Sequence, residues 1–463
     1  MRISLPSCVS CGRFADARVQ VDEPQDLEEK VLTPALKPFE FYTEQESVFA
    51  ALKPQNGKLQ PVKLLDSVWV LERAERLEAA STDEERALLA LPCRQDLEEQ
   101  SPEAFITFEE LCALPKNDSS VEGVKFDASD DGNLAMGSVS HAWMTARHPD
   151  PLGQQLVNLA KTIRDAQQGR LACQQPNSDW FPFKSMHFRK LPRRFGLFYD
   201  WCSIFQAKKD ENGNVLRDRS TAERDAFNLA LETMQLWYVH TRLFVFLLTE
   251  LPTDCPALPY GCRGWPTVER AWANMTKTAS ANCWPMIYQV GSQDVVPRSR
   301  DMLLHPVNLG QLLYERRFTS PKADRPLVMR LYRETALSVL AGSRVLNFGS
   351  CGWTDEAFVM FARVMPLCVN CVTLLLNNNA CSDAGASAVA CAAAGSLPML
   401  QDMTLSGNDI GDAGFFALAA ALSQKAMPGL KKLSLKRNRA SQEAKDVLRS
   451  AIALMPRCEC ILD

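Results

Sequence analysis

The sequence predicts an α/β protein in two parts: a parallel sheet covered on both faces by helices, followed by a short solenoid of strand–helix repeats. Three observations carry that expectation. From Leu134 onward, short apolar runs alternate with amphipathic helical periods, the pattern of strands buried on both faces. The C-terminal part repeats a fixed apolar pattern closed by Asn or Cys, with markers at 351, 379, 408 and 438, that is 28, 29 and 30 residues apart. Finally, 463 residues with 46% hydrophobic side chains suffice for roughly two to four domains with real cores.

Residues 1–131 read as a mostly helical extension. Its helical stretches (LEEKVL, VWVLERAERLEAA, DEERALLAL, FEELCAL) are separated by Pro-containing breaks and the loop KNDSSVEG, and none carries a chemical motif. The expected role is packing against the sheet domain. Residues 132–300 form that domain, with buried strands expected at Leu134–Val139, Phe195–Tyr199, Leu243–Leu248 and Met286–Val290. Between the first two, Leu156, Leu159, Ala160 and Ile163 fall on one helical face. Between the next two, Ser220 and Glu223 have capping-box spacing and open a helix with the stripe Phe227, Leu231, Met234 and Tyr238. A further helix begins near Trp265 and carries Val268, Ala271, Trp272 and Met275. Residues 301–334 connect to the repeats of 335–463, and the amphipathic segment Leu327–Leu340 caps their start.

In parallel sheets, functional groups gather at the carboxyl ends of strands, where the loops face one crevice. Ser140-His141-Ala142-Trp143 follows the first strand, Asp200-Trp201-Cys202 the second and Thr249-Glu250 the third, and the segment from Tyr260 to Glu269 leads into the last helix. His141 and Asp200 could form a polar pair there. Equally, His141 could be a satisfied buried imidazole and Asp200 a loop-bonding carboxylate.

The strings SVSHAW, FYDWCSIFQ and RGWPTVE, in that order, resemble the motifs of fungal heterokaryon-incompatibility (HET) domains and their relatives in the Toll/interleukin receptor (TIR) superfamily. The resemblance covers about residues 132–300. Asp200, Cys202, Ile204 and Gln206 match the HET strand-end motif with Cys202 displaced by one position, and Arg263, Trp265 and Glu269 match its closing spacing. Tyr260, Trp265 and Glu269 keep the intervals of plant-like TIR domains, whose Glu is associated with NAD cleavage. Pro266 stands where a Cys usually follows Trp, and Arg263 where a Ser precedes it. The resemblance implies a TIR-like fold, self-association, and NAD as a substrate with Glu269 as the catalytic candidate. Breaking the nicotinamide–ribose bond builds positive charge on the sugar, which a carboxylate can stabilise. Trp143 or Trp265 could stack on a ring, with Arg263 beside them at the bound nucleotide. The departures lead us to expect little basal turnover. Glu269 is alternatively a helix-start residue favoured by the helix dipole.

In the C-terminal part, Leu430, Leu433, Leu435 and Asn438 match L-x-x-L-x-L-x-x-N/C. Leu400, Met403, Leu405 and Asn408, and Cys371, Leu374, Leu376 and Asn379, each match with one substitution, and Ser343, Leu346, Phe348 and Cys351 form a degenerate copy. The companions TDEAF, SDAGA, GDAGF and SQEAK recur after each marker. These copies resemble leucine-rich repeats of the ribonuclease-inhibitor type, each a strand followed by a returning helix. Cys458–Leu462 supplies a terminal strand. Residues alternating with the buried leucines should face the concave side: Val345 and Asn347, Thr373 and Leu375, Asp402 and Thr404, Lys432 and Ser434. Such a surface binds a protein partner or, in so short an array, serves as a packing platform.

Several classes are excluded. A net charge of −4 provides no field for nucleic acid. The longest apolar run, Phe415–Leu422, is far short of a membrane span, and the first residues lack a secretory core, so the chain reads as cytoplasmic. Sixteen dispersed cysteines then read as reduced thiols. Cys8-x-x-Cys11 lacks a second ligand pair, His148 and His187 lack metal-ligand spacing, and we assign no metal and no resident cofactor. No G-x-S-x-G elbow and no P-loop occur. The reading is a signalling or defence-type interaction protein, or an NAD glycohydrolase using Glu269.

Overall fold

A computed structural model describes residues 36–54, 57–114, 134–168, 191–210, 212–276, 287–291, 301–425, 427–455 and 458–462. Residues Lys37–Asp463 form one compact unit. Cys8, Cys11, His187, Met286, LEEKVL and the loop KNDSSVEG lie outside the described residues.

The chain runs through helix α1 (Gln45–Leu52), strand β1 (Leu65–Asp66), then α2 (Ser67–Ala79), α3 (Asp83–Leu89), α4 (Arg94–Gln100) and α5 (Phe108–Ala113). Next come β2 (Met136–His141), α6 (Gln154–Gln168), β3 (Gly196–Tyr199), the short α7 (Asp200–Ser203), and a hairpin of β4 (Lys208–Lys209) and β5 (Val215–Arg217). Helices α8 (Thr221–Glu232) and α9 (Met234–Val239) lead to β6 (Phe244–Leu248), followed by α10 (Gly264–Thr276) and β7 (Ile287–Val290). The first sheet has the order β1-β3-β2-β6-β7, with β3, β2, β6 and β7 parallel and β1 antiparallel to β3. It is an α/β layer structure with helices on both faces.

Strand parity sorts the side chains. Met136, Phe198, Val245, Leu247 and Ile287 enter one core with α9 and α10, while Val139, Leu197, Tyr199, Phe244, Phe246, Leu248 and Tyr288 enter the other with α2 and α6. Gly137 must be glycine, because a Cβ there would meet the Phe244 ring at 2.2 Å. Residues assigned by sequence to the extension thus supply β1 and α2 to this sheet. Arg94 clamps them on: it is buried, donates to Pro61 O (2.7 Å), Gln60 O (2.7 Å) and Ser203 O (3.1 Å), and pairs with Glu98 (3.0 Å). Every guanidinium nitrogen is satisfied, which is what makes a buried Arg tolerable.

One expected helix is two. The stripe through Phe227 and Leu231 breaks at Thr233, whose hydroxyl bonds back to Leu229 O and Ala230 O. The buried side of α8 becomes Glu223, Ala226 and Ala230, and a fresh start lets all six residues of α9 be buried, with Trp237 stacked on Phe198 at 4.9 Å.

Beyond β7 come α11 (Pro306–Tyr314) and the long α12 (Pro321–Gly342), then β8 (Val345–Asn347), α13 (Asp355–Val364), β9 (Thr373–Leu375), α14 (Asp383–Ser396), β10 (Asp402–Thr404), α15 (Asp412–Ser423), β11 (Lys432–Ser434), α16 (Gln442–Ala453) and β12 (Glu459–Ile461). Strands β8 to β12 form a second, wholly parallel sheet in sequence order. Two ladders of side chains hold it. Asn379 Oδ1 accepts from Cys351 N and Trp353 N while Nδ2 donates to Phe348 O and Leu376 O; Asn408 and Asn438 act likewise one and two copies further on. The second ladder explains the recurring Asp: Asp355 accepts from Ser382 N and Gly385 N, Asp383 from Gly411 N and Gly414 N, and Asp412 from Ser441 N. Each carboxylate begins its own helix and caps the next. The core on the α9/α10 face continues through α12 into these repeats.

Candidate functional site

The chain goes from β2 outward to β3, then crosses to β6 on the other side of β2, so the order reverses around β2. In open α/β sheets ligands bind outside the carboxyl ends of the strands at that reversal. Strand β2 ends in Ser140-His141, consecutive residues that point to opposite faces, and each meets a carboxyl group.

On the α10 face, Ser140 Oγ lies 2.5 Å from Glu269 Oε2 and 2.6 Å from the Tyr260 hydroxyl. Tyr260 donates to Ser140, which donates to Glu269. The Tyr238 hydroxyl lies within reach of both the same carboxyl and Val139 O (3.2 Å), and its single proton goes to one or the other. Glu269 is 6% exposed, Tyr260 3% and Ser140 0%. Burial pushes the Glu269 carboxyl up to about 8, with the Asp200 charge adding to it and the Ser140 and Tyr238 bonds opposing it. Glu269 is therefore largely a neutral acid at pH 7. It lies in the second turn of α10, which begins at Gly264, so the helix-start reading fails: a dipole acts mainly on the first turn.

On the other face, His141 Nε2 lies 2.7 Å from Asp200 Oδ1, and Tyr199 Oη lies 3.4 Å from His141 Nδ1. The Trp143 indole donates to Asp200 Oδ2 at 3.2 Å, and Trp201 N donates to Oδ1. Burial alone would raise the Asp200 carboxyl, but the His141 charge and these bonds hold it below the usual carboxylate range. Trp143 packs edge-on to Trp201 at 5.2 Å. Strings SHAW and DWC thus form one hydrogen-bonded cluster in which His141 pairs with Asp200.

His141 and Asp200 come together, with Trp143 beside them, and Glu269 stands on the opposite face of the same strand end. Arg263 and Trp265 do not join either cluster. Arg263 Nε is turned to Leu258 O at 2.9 Å, and Trp265 reaches Asp324 on α12. Sequence reasoning passed over Ser140 and Tyr238 as site residues. For Ser140 the signal was parity: Ser138 and Ser140 alternate with Gly137, Val139 and His141, so a buried strand was carrying hydroxyls toward one helix layer.

In the second sheet, Leu346, Leu374, Met403 and Leu433 point inward. Asn347, Thr373, Leu375, Asp402, Thr404 and Ser434 are half-buried on the outer side, and Val345 and Lys432 are exposed. Among the described residues no cluster of three or more His, Cys, Asp or Glu could hold a metal ion, and no helix is long and apolar enough to cross a membrane.

No protein-family model matches this chain, and no curated protein matches it. Among solved structures, it is similar to the actin-binding site 2 of leiomodin-1, with 16% identity over 28% of this chain and 75% of that one and a TM-score of 0.25.

Proposed function

We propose that this chain is a cytosolic signalling or defence-type interaction protein, a HET/TIR-like α/β layer fused to a short leucine-rich repeat solenoid. The observation that carries the reading is the parallel sheet β8–β12, whose outward positions line up in register: Thr373 beside Asp402 beside Lys432, and Leu375 beside Thr404 beside Ser434. Inward neighbours fill the core, so the outward row is free to vary with a protein partner, and the α/β layer is the part that self-associates. The test is a double variant, Leu375→Glu with Thr404→Arg, compared with the native chain in quantitative cross-linking from the source cell. Both changes sit outside the core, so folding should persist by circular dichroism. A partner set unchanged by the double variant would refute the strip as the binding surface.

One observation favours a second reading, NAD cleavage. A buried carboxyl with a strongly raised pKa, held by two hydroxyls at a strand-order reversal, is a functional-site signature. In that reaction the C1′–nitrogen bond breaks, its electrons go to the nicotinamide ring, and water adds to C1′, releasing a proton. An ionised Glu269 would stabilise the ribosyl cation. In its neutral, enclosed state Glu269 is not poised to do so, which accounts for the low basal turnover expected. Nicotinamide release from NAD by the native chain and by Glu269→Ala decides this reading.

A further inference from the structure

We propose that Tyr260 is an internal plug of the Glu269 site, its hydroxyl standing where a hydroxyl of a ribose-bearing substrate would bond Ser140 and the carboxyl. The inference rests on the NAD-cleavage reading and adds its regulation. Tyr260 is an anomaly of its loop. Thr253, Asp254, Pro256, Leu258 and Pro259 are exposed, yet Tyr260 is driven to 3% exposure and spends its hydroxyl on Ser140 at 2.6 Å. It opens a single three-ten turn, Tyr260–Cys262, beside Gly261, around which there is open space.

The chain after this turn is fixed. Gly264 N donates to Arg317 O at 2.8 Å and Arg317 N to Cys262 O at 3.0 Å, so the backbone is pinned just before α10. With Cys262 held in place, the hinge is Gly261, and withdrawal of Tyr260 gives up the Cys262 N–Pro259 O (2.9 Å) and Arg263 N–Tyr260 O (3.2 Å) bonds of the turn while Glu269 stays on its helix. Toward Ser140 and Glu269, a phenol and a ribose hydroxyl present the same chemistry, one O–H donor with an oxygen acceptor. Withdrawal exchanges an internal ligand for an external one and lets water reach the carboxyl.

The experiment uses the full chain and two readouts. Glu269 is coupled to glycine ethyl ester with a water-soluble carbodiimide and quantified by peptide mass spectrometry, and nicotinamide release from NAD is measured in parallel. In Tyr260→Ala, coupling at Glu269 should rise by about tenfold or more over the native chain, the scale of removing one local closing contact, and nicotinamide release should rise with it. Tyr260→Phe, which keeps the ring in place, should change coupling far less. If Tyr260→Ala does not fold, Arg263→Ala, which removes the bond to Leu258 O, loosens the same turn from the surface and should raise coupling too. Equal coupling in native and folded variant chains overturns the plug. Faster coupling without any nicotinamide release upholds the plug and dismisses NAD as the substrate, so the two failures are told apart.

Discussion

Asn408 offers the sharpest test of how the second sheet is held. It is 5% exposed, and its amide serves two copies of the repeat at once. Oδ1 accepts from Asn379 N (3.2 Å) and Cys381 N (3.1 Å), and Nδ2 donates to Leu376 O (3.0 Å) and Leu405 O (2.8 Å). In Asn408→Ala the two carbonyls keep a second donor, since Asn379 Nδ2 also reaches Leu376 O and Asn438 Nδ2 reaches Leu405 O. The two N–H groups lose this acceptor inside the fold. At about 1–3 kcal/mol for each stranded buried donor, the variant should lose roughly 2–6 kcal/mol, a large share of a domain's stability. Urea unfolding followed by far-ultraviolet circular dichroism measures it as a fall in midpoint at unchanged slope. Thr404→Ala, on the outer side of the same sheet, should shift it by no more than about 0.5 kcal/mol. A loss below about 1 kcal/mol in Asn408→Ala would show that the ladder is not what holds the copies in register.

Two more outcomes are set by the geometry. Gly414→Ala places a methyl 2.5 Å from Ile410 Cγ2 and 2.9 Å from Asp383 Oδ1, displacing the carboxylate that caps α15. Thermal unfolding should report a loss of about 1–3 kcal/mol, and a neutral result would remove the reason for glycine in that motif. Glu269 should also make stability pH-dependent. Its folded pKa is raised from the ordinary 4.5 to about 8, so its contribution is full below about 4.5 and is lost as pH rises toward about 8. Across that window Glu269→Gln, which cannot ionise, should flatten the decline by up to about 1.4 kcal/mol per pH unit; parallel native and variant curves would mean Glu269 is ionised in the fold.

How much was legible depends on the range of the interaction. Strands β3 and β6 fall within a residue of the apolar runs that announced them, and the Ser220–Glu223 capping box forms, because each is decided by neighbours along the chain. Strand β2 extends to His141, past the apolar run ending at Val139, since Ser140 and His141 are buried by bonds to Glu269 and Asp200, 129 and 59 residues away. Nothing local marks β1, two residues whose strand partner is β3. The recurring Asp of TDEAF, SDAGA and GDAGF was visible as a string, while its reason, capping the next copy's helix, lies 27–31 residues onward. In SQEAK the Asp is replaced by Gln442, and α16 is instead capped by the Ser441 hydroxyl, which accepts from Ala444 N.

The two carboxyl clusters differ in how they connect to the rest of the molecule. His141 and Asp200 face the α2/α6 core, which does not extend into the repeats. Glu269 sits on α10, whose start is closed by Phe318 against Gly264, where a Cβ would lie 2.0 Å from the ring, and whose Trp265 reaches Asp324 on α12. That helix belongs to the core shared with β8–β12. A dense apolar core resists continuous deformation and transmits displacement. Helix α10, which carries Glu269, packs on the core that continues into β8–β12, whereas the His141–Asp200 cluster packs on the opposite layer. The two are joined at consecutive residues of β2 and through the Asp200 charge, which raises the Glu269 carboxyl. Of the two clusters, the Glu269 site is the one that stands on the apolar core running through α12 into β8–β12.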